Sequence, residues 1–377
     1  MKFEELNLAP ALLKAVLEQG YETPTPIQAQ AIPAVLAGHD LLAGAQTGTG
    51  KTAAFTLPML HRLSQSAAPK NKFGGKGIRA LVLTPTRELA AQVEESVREY
   101  GKYLDINSTV VFGGVGMNPQ IDRIKRGVDI LVATPGRLLD LQQQGFLDLS
   151  TVQVLVLDEA DRMLDMGFIH DIKRLIPMLP KKRQTLFFSA TMPSAIATLS
   201  KSILLNPVRV EVTPESPAAE TVEQHLYIVE KPQKSELLIN LLNQKRNKSV
   251  LVFSRTKHGA DKIARTLNKQ GIFCEAIHGN KTQNARQRAL TNFKSGKTHV
   301  IIATDIAARG IDINNLEYVI NYDMPDVAET YIHRIGRTGR AGQNGTALTF
   351  CSADEKGMIR DIQKLTGKKL NELSIPA

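Results

Sequence analysis

The chain has 377 residues, of which 42% are hydrophobic and 22% charged, so it has an ordinary globular composition and enough length for two domains. Aromatic residues are 5% and Trp is absent, which disfavours a protein that reads bases mainly by stacking. Cys274 and Cys351 have no neighbouring ligand pair, so we expect reduced thiols and no cysteine metal site. With no signal-like or membrane-length apolar run, a cytoplasmic protein is expected.

The charge is unevenly distributed along the chain. Residues 219–377 hold 24 of the 47 basic and 16 of the 37 acidic residues, so they carry +8 of the total net charge of +10. This second half is the better candidate to face a polyanion. A basic surface that serves only solubility is the alternative, and charge alone does not separate the two.

Short apolar runs alternate with helical patterns from one end of the chain to the other. Most are continuous Val, Ile and Leu, which favours strands buried on both faces of a parallel sheet and joined by crossover helices. The sequence therefore predicts an α/β fold with mostly parallel sheets flanked by helices. The predicted strands are Ala80–Leu83, Thr109–Phe112, Ile130–Ala133, Val152–Leu157, Thr185–Phe188, Val250–Phe253, Phe273–Ile277, Val300–Ala303, Tyr318–Asn321 and Thr346–Phe350.

Two segments lack any hydrophobic periodicity. Val212–Thr221 contains two prolines and small residues, so we interpret it as a linker between domains 1–211 and 222–377. Ser66–Gly77 lies within the first domain, between a helical pattern and a strand, and is predicted to be a flexible exposed loop.

A glycine-rich segment follows the apolar stretch Leu41–Ala43 and precedes a helical pattern. Its residues are Ala45, Gln46, Thr47, Gly48, Thr49, Gly50, Lys51 and Thr52. This arrangement is typical of a P-loop, whose backbone N–H groups converge on phosphate oxygens at a helix N-terminus. Lys51 is expected to reach the β- and γ-phosphates and Thr52 to bind Mg²⁺. A plain glycine turn before a helix is the alternative, which does not explain the Lys-Thr pair.

Two adjacent acids follow the run that ends at Leu157. Asp158 is placed to hold Mg²⁺, and Glu159 is the candidate base for the attacking water. The two acids would also suit a helix N-terminus, but that interpretation leaves the upstream P-loop unexplained.

With Asp158-Glu-Ala-Asp161, the chain resembles the DEAD-box RNA helicases over roughly residues 3–365, and within them the bacterial RhlE-type proteins. The resemblance implies two tandem RecA-like domains, ATP hydrolysis at their interface, and local unwinding of short RNA duplexes or remodelling of RNA–protein complexes. Gln28 and Tyr21 match the adenine-recognition element, and Phe3 would support it. Gly310 and Asp312, with Arg309, would meet the nucleotide from the second domain.

The resemblance also assigns the remaining site residues. Arg337 and Arg340 match the arginine fingers, in a segment that we expect to begin a helix aimed at phosphates. Residues implied to couple the domains are Asp161, Ser189, Thr191 and His333. Residues implied to contact the RNA backbone are Pro85, Thr86, Arg87, Gly114, Thr134, Pro135, Arg137, Arg255, Gly279, Thr304 and Asp305.

Two other functions are weighed against the RNA helicase. A DNA helicase or translocase could use the same paired domains, although Gln28 and the DEAD tetrapeptide favour RNA. A non-catalytic RNA-binding scaffold is disfavoured by intact Lys51, Glu159 and Arg337. The cofactors implied are ATP and Mg²⁺. A monomer is expected, with RNA as the partner and ribosome-assembly or RNA-decay factors as candidate protein partners.

Overall fold

A computed structural model describes residues 1–45, 48–212, 222–308, 316–339 and 345–375. The chain divides into two compact units, Met1–Thr213 and Pro214–Ala377. The predicted domain boundaries remain a prediction, because most of the proposed linker lies outside the described residues. Each unit is described by itself below.

Unit 1 is built on a parallel sheet of seven strands among the described residues. The strands are β1 Leu41–Gly44, β2 Ala80–Leu83, β3 Ser108–Val111, β4 Ile130–Ala133, β5 Val154–Leu157, β6 Gln184–Ser189 and β7 Val208–Glu211. Their order in the sheet is β3-β4-β2-β5-β6-β1-β7, and every pairing is parallel. The helices are α1 Pro10–Glu18, α2 Pro26–Leu36, α3 Lys51–Ser64, α4 Arg87–Tyr100, α5 Asn118–Arg126, α6 Pro135–Gln143, α7 Ala160–Asp165, α8 Ile169–Leu175 and α9 Ser194–Ile203.

The continuous apolar runs are explained by burial on both faces of the sheet. Along β2, Ala80 and Val82 belong to one hydrophobic cluster, while Leu81 and Leu83 belong to the cluster on the opposite face. Because successive side chains of a strand point to opposite faces, a strand covered by helices on both sides has no position for a polar residue.

Unit 2 repeats this plan among the residues that the structure describes. Its strands are β8 Val222–Ile228, β9 Val250–Phe253, β10 Cys274–Ile277, β11 Val300–Ala303, β12 Tyr318–Asn321, β13 Gly345–Cys351 and β14 Asn371–Glu372. Their order in the sheet is β10-β11-β9-β12-β13-β8-β14. Its helices are α10 Lys234–Gln244, α11 Lys257–Lys269, α12 Gln283–Lys294, α13 Asp305–Ala308, α14 Ala328–Ile335 and α15 Lys356–Thr366. The predicted α/β class is confirmed.

Two kinds of segment differ from the sequence-based expectation. Strands β7, β8 and β14 are not among the predicted strands. β7 and β8 alternate between buried and more exposed positions, and β14 consists of two exposed polar residues, so none of them forms a continuous apolar run. Within the predicted flexible loop, Lys70 and Lys76 pair as an antiparallel bridge and close a hairpin. Among the described residues, no helix is long and apolar enough to cross a membrane, and no cluster of His, Cys, Asp and Glu has the form of a metal site.

Candidate nucleotide and RNA sites

The glycine-rich turn delivers Lys51 to the first position of α3. Gly50 caps this helix with φ of 92°, a left-handed conformation that favours glycine. Lys51 is only 6% exposed although its side chain is charged. Gln46 and Thr47 lie outside the described residues, so the rest of the predicted cradle is seen through Ala45 and Gly48 to Thr52.

Lys51 lies against the two acids that follow β5. Its Nζ is 3.9 Å from Asp158 Oδ1 and 3.9 Å from Glu159 Oε1, too far for hydrogen bonds. Among the residues that the structure describes, Lys51 Nζ and Asp158 Oδ1 are both buried and have no hydrogen-bond partner. Because a buried charge without such partners is costly, this cluster suits a ligand that brings oxygen atoms to the lysine and a cation to the aspartate.

Burial also perturbs Asp158. It raises the pKa of the carboxyl from 3.8 to about 6, because removal from water disfavours the charged form and Glu159 adds repulsion, while Lys51 opposes both. A perturbed carboxyl beside a buried lysine is typical of a functional site.

Glu159 is held in an unusual backbone conformation at the start of α7. Its φ and ψ are 57° and 53°, the left-handed region that non-glycine residues rarely adopt. Arg162 Nη1 donates to Glu159 Oε2 over 2.7 Å and fixes the carboxylate. The strain and the ion pair together give the Glu159 side chain one orientation. Sequence reasoning missed Arg162, whose signal is its position one helical turn after Glu159.

Gln28 connects the base-recognition candidate to the P-loop. Its Oε1 accepts from the Thr25 N–H over 3.0 Å, and its Nε2 donates to the Gly50 carbonyl over 3.1 Å. One amide N–H and one oxygen lone pair remain, which is the set that paired bonds to an adenine edge require. Tyr21 is exposed, and Phe3 is buried and donates its N–H to the Glu22 carbonyl.

Asp161 is tied to the end of β6. Its Oδ2 accepts from both the N–H and the hydroxyl of Thr191, each over 2.9 Å. The Asp161 N–H donates to Ser189 Oγ over 3.2 Å, so this serine contacts the Asp161 backbone. The last acid of the DEAD segment is thereby linked to the loop that follows β6.

The predicted RNA contacts of unit 1 lie after β2, β3 and β4. Thr86 and Thr134 precede α4 and α6 as N-cap residues, and the Thr86 hydroxyl accepts from the Leu89 N–H. The guanidinium of Arg87 packs so closely on Gly114 that an added Cβ would lie 2.0 Å from Nη1. Arg137 donates to the Val115 carbonyl, and its buried Nη1 has no hydrogen-bond partner among the residues described. Pro135 is buried at the first turn of α6.

In unit 2 the predicted RNA residues have different environments. Arg255 Nη2 donates to Glu355 Oε1 over 3.0 Å, while Gly279 has open space where a side chain would lie. Thr304 directly precedes α13. Asp305 receives two hydrogen bonds from the guanidinium of Arg334, of 2.6 and 2.7 Å.

The arginine-rich segment after β12 differs from the sequence prediction. It ends a helix, because α14 stops at Ile335, and does not begin one. Arg334 is 1% exposed and holds Asp305, so it is a core residue and not a phosphate ligand. Arg337 is buried and His333 is exposed. Arg309, Gly310, Asp312 and Arg340 lie outside the described residues.

The sheet order and the P-loop cluster define a P-loop nucleotide-binding protein with two RecA-like units. Residues 25–199 match the DEAD/DEAH box helicase family, and residues 233–342 match the helicase conserved C-terminal domain. The ATP-dependent RNA helicase CshA of Listeria monocytogenes is 42% identical over 375 residues, which are 100% of this chain and 71% of that relative. The DEAD-box ATP-dependent RNA helicase CshA of Bacillus subtilis is 41% identical, over 99% of this chain and 74% of the relative.

Solved structures agree with these sequence relatives. S. cerevisiae Dbp5 bound to RNA and ADP BeF3 has a TM-score of 0.82 and 33% identity, covering 99% of this chain and 95% of that one. A DEAD box protein from Methanococcus jannaschii has a TM-score of 0.56 and 37% identity, with 99% of each chain covered. The chain belongs to the DEAD-box family of ATP-dependent RNA helicases. The predicted family, RecA-like fold and enzyme class are confirmed.

Proposed function

We propose that the chain hydrolyses ATP at the P-loop of unit 1 and uses the energy to open short RNA duplexes or remodel RNA–protein complexes. The observation that carries this proposal is the buried Nζ of Lys51, which faces Asp158 and Glu159 and has no hydrogen-bond partner in the described part of the chain. A terminal phosphate would supply the missing acceptors, and the α3 N-terminus would add a favourable dipole.

Mg²⁺ fits the residues beside this lysine. Asp158 Oδ1 is buried and receives no hydrogen bond from any described residue, and Thr52 follows Lys51 in the first turn of α3. Carboxylate and hydroxyl oxygens are ligands that Mg²⁺ prefers, with water completing its octahedron. When bound, the ion would neutralise charge on the phosphates. Asp158 and Thr52 would hold it.

Glu159 is the proposed base for the attacking water. Its carboxylate is held by Arg162 over 2.7 Å and stands beside Lys51. Fixing the carboxylate before ATP arrives lowers the cost of orienting the water in the transition state. The proton would pass to a Glu159 carboxylate oxygen, and the γ-phosphoryl group would leave ADP and join the water oxygen.

Base selectivity is proposed for Gln28, with Tyr21 packing on the adenine ring. The free donor and acceptor of the Gln28 amide would match the N7 acceptor and the N6–H donor of adenine, and guanine replaces that donor with the O6 acceptor. Arg87, Gly114, Thr134 and Arg137 are the proposed RNA-backbone contacts of unit 1, since they follow neighbouring parallel strands at one edge of the sheet. From unit 2 we propose Arg337 as an arginine finger toward the γ-phosphate.

The decisive experiment is the steady-state ATPase rate without nucleic acid, with single-stranded RNA and with single-stranded DNA at one salt concentration. Salt must be fixed because phosphate binding weakens steeply as it rises. Stimulation by RNA alone supports the proposal. Equal stimulation by DNA favours a DNA helicase, and the absence of ATP turnover under all three conditions favours the non-catalytic RNA-binding scaffold.

The subgroup, the location and the oligomeric state are further proposals. The RhlE-type subgroup stays a prediction, since the two bacterial relatives are named CshA. A cytoplasmic location is proposed because both cysteines are buried free thiols, and burial raises the pKa of Cys274 to about 12. A monomer and partners in ribosome assembly or RNA decay are also proposed. Light scattering of the purified chain with and without RNA tests whether it is a monomer.

A further inference from the structure

A basic surface with an exposed aromatic ring lies on unit 1 at the end of α5 farther from Gly114. We call it the hairpin patch, and it combines the hairpin after α3 with the last turn of α5. Its residues are Lys70, Lys72, Phe73, Arg123, Lys125 and Arg126. Phe73 is 40% exposed. None of these residues is used by the proposed ATP or RNA sites.

The hairpin is held in one shape by its own hydrogen bonds. Asn71 Oδ1 accepts from the N–H groups of Phe73 and Gly75 over 2.8 and 3.0 Å. The Asn71 N–H donates to the Gly75 carbonyl over 2.7 Å, and the Gly77 N–H donates to the Pro69 carbonyl over 2.6 Å. Phe73 is therefore presented at a fixed position at the hairpin tip, which limits the entropy lost when a ligand stacks on it.

The hairpin is also fixed against the end of α5. An added Cβ at Gly75 would lie 2.7 Å from the Arg126 carbonyl, and one at Gly127 would lie 2.2 Å from the Lys76 nitrogen, so only glycines permit this approach. Lys72 Nζ donates to the Gly145 carbonyl over 2.6 Å. The two chain segments thus form one continuous surface.

Cations surround the exposed ring. Lys125 Nζ lies 5.9 Å from the centroid of Phe73 and 5.4 Å from that of Phe146, and Lys72 Nζ lies 5.2 Å from Phe73. In the described part of the chain, none of the five cations of the patch forms an ion pair with a carboxylate within 4.0 Å. Asp148 lies near Lys72 and Glu94 lies near Arg123, so these acids offset part of the charge, while Lys70, Lys125 and Arg126 keep theirs available for an anion.

A second aromatic site in the same unit shows the contrast. Tyr103 is 43% exposed, with Lys14 and Lys102 at 4.2 and 5.1 Å from its ring centroid. There, Glu18 bonds both Lys102 and the Tyr103 hydroxyl, so one acid compensates part of the charge. The hairpin patch has the chemistry of a single-strand site, in which cations contact phosphates and an aromatic ring stacks on a base.

We propose that the hairpin patch is an accessory site for single-stranded RNA, used by the strand after it leaves the proposed contacts at Arg87 and Gly114. The inference rests on those contacts. Helix α5 spans nine residues, or about 13 Å, and carries Arg123, Lys125 and Arg126 in its last turn. A strand that follows this helix reaches Phe73. RNA that is too short to pass α5 cannot use the patch.

The test measures affinity for a ladder of oligouridylates of increasing length at fixed salt, by fluorescence anisotropy. Phe73→Ala combined with Lys125→Gln should weaken binding of long RNA by at least about fivefold, since one stacked base is removed, and leave short RNA unchanged. Tyr103→Ala with Lys102→Gln is the matched control, because it also removes one ring and one positive charge, and it should change neither affinity.

A second variant keeps the ring. Lys70→Gln with Arg126→Gln should weaken long-RNA binding and lower the salt slope by about 0.7 for each phosphate that is no longer neutralised. The inference is overturned if both patch variants bind long RNA as tightly as the parent does, which is the result expected if the patch binds an acidic protein instead. It is also overturned if the variants weaken binding of short and long RNA equally. Failure of short RNA to stimulate the parent ATPase would instead contradict the proposed function.

Discussion

Gln28 donates a hydrogen bond of 3.1 Å from Nε2 to the backbone carbonyl of Gly50, the residue that caps the P-loop helix. The candidate adenine ligand and the phosphate loop therefore share a direct contact within unit 1. If base binding moves the Gln28 amide, its hydrogen bond to Gly50 would transmit that movement to the loop that holds the phosphates.

Gln28→Glu tests this contact. The carboxylate keeps an acceptor for the Thr25 N–H but loses the donor to Gly50 and the donor proposed for adenine. We expect KM for ATP to rise about tenfold or more, because a polar group is left unpaired, and the preference for ATP over GTP to fall. Steady-state kinetics with both nucleotides measure this, and an unchanged ATP/GTP ratio would remove Gln28 from base recognition.

Gly50→Ala should abolish nucleotide binding. An added Cβ would lie 2.5 Å from Gln28 Nε2, in a backbone conformation with φ of 92°. Gly271→Ala is the matched control, since Gly271 has φ of 75° and open space around it. The control should lose about 1–2 kcal/mol of stability through backbone strain and keep the ATPase. Equal ATPase loss in both variants would show that strain alone, and not the contact, is responsible.

The raised pKa of Asp158 predicts a pH dependence for binding of Mg²⁺ with nucleotide. Since the folded carboxyl titrates at about 6, well above the usual 3.8, protons compete with the cation below that pH. Affinity should rise as pH increases through about 6 and then level off. Titration calorimetry from about pH 5 to about pH 8 measures this. An affinity that is flat across this range would place the cation elsewhere.

The same shift has the opposite sign for stability. Because the folded state binds the Asp158 proton more tightly than the unfolded state, the nucleotide-free chain should lose stability as pH rises through about 6. Asp158→Asn should remove this part of the pH dependence while it weakens nucleotide binding. Urea unfolding of both chains at several pH values checks the difference, and parallel curves would contradict it.

Arg334 is predicted to be structural. Its guanidinium holds Asp305, donates to Asn321 Oδ1 and lies 4.9 Å from the Phe253 ring centroid. Arg334→Ala should therefore cost about 3–5 kcal/mol, because Asp305 loses its partner. Asp305→Asn leaves the buried guanidinium without a countercharge, so it should also destabilise the chain, but by less than Arg334→Ala because the bond to Asn321 and the Phe253 contact remain. Chemical unfolding measures both values, and a cost below about 1 kcal/mol for Arg334→Ala would contradict the core assignment.

The sequence predicts those strands of this fold that are buried on both faces. Strands such as Val300–Ala303 are covered on both faces and form continuous apolar runs, so they are found without structural information. β7 and β8 alternate in burial, and a search for continuous runs passes over them. Strands that lie toward the edge of a sheet, or that are covered on one face only, are therefore missed by a search for continuous apolar runs.

The site is predictable where a local motif carries the chemistry. Lys51, Asp158 and Glu159 follow from a P-loop and from acids after a strand, both of which are local patterns. The role of Arg334 is not predictable in this way, because a burial of 1% depends on the fold around it. The local sequence around an arginine in a glycine-rich segment is the same whether the side chain is buried or exposed. Tertiary packing decides that role.

ATP turnover by Glu159→Gln in the presence of single-stranded RNA shows whether Lys51, Asp158 and Glu159 form the hydrolytic site. The variant keeps the size of the side chain and the neighbouring Lys51, so it should still bind ATP and RNA while turnover falls by at least about 100-fold, because the base for the attacking water is removed. Turnover within about twofold of the parent, with binding intact, would contradict the assignment of this buried cluster as the hydrolytic site.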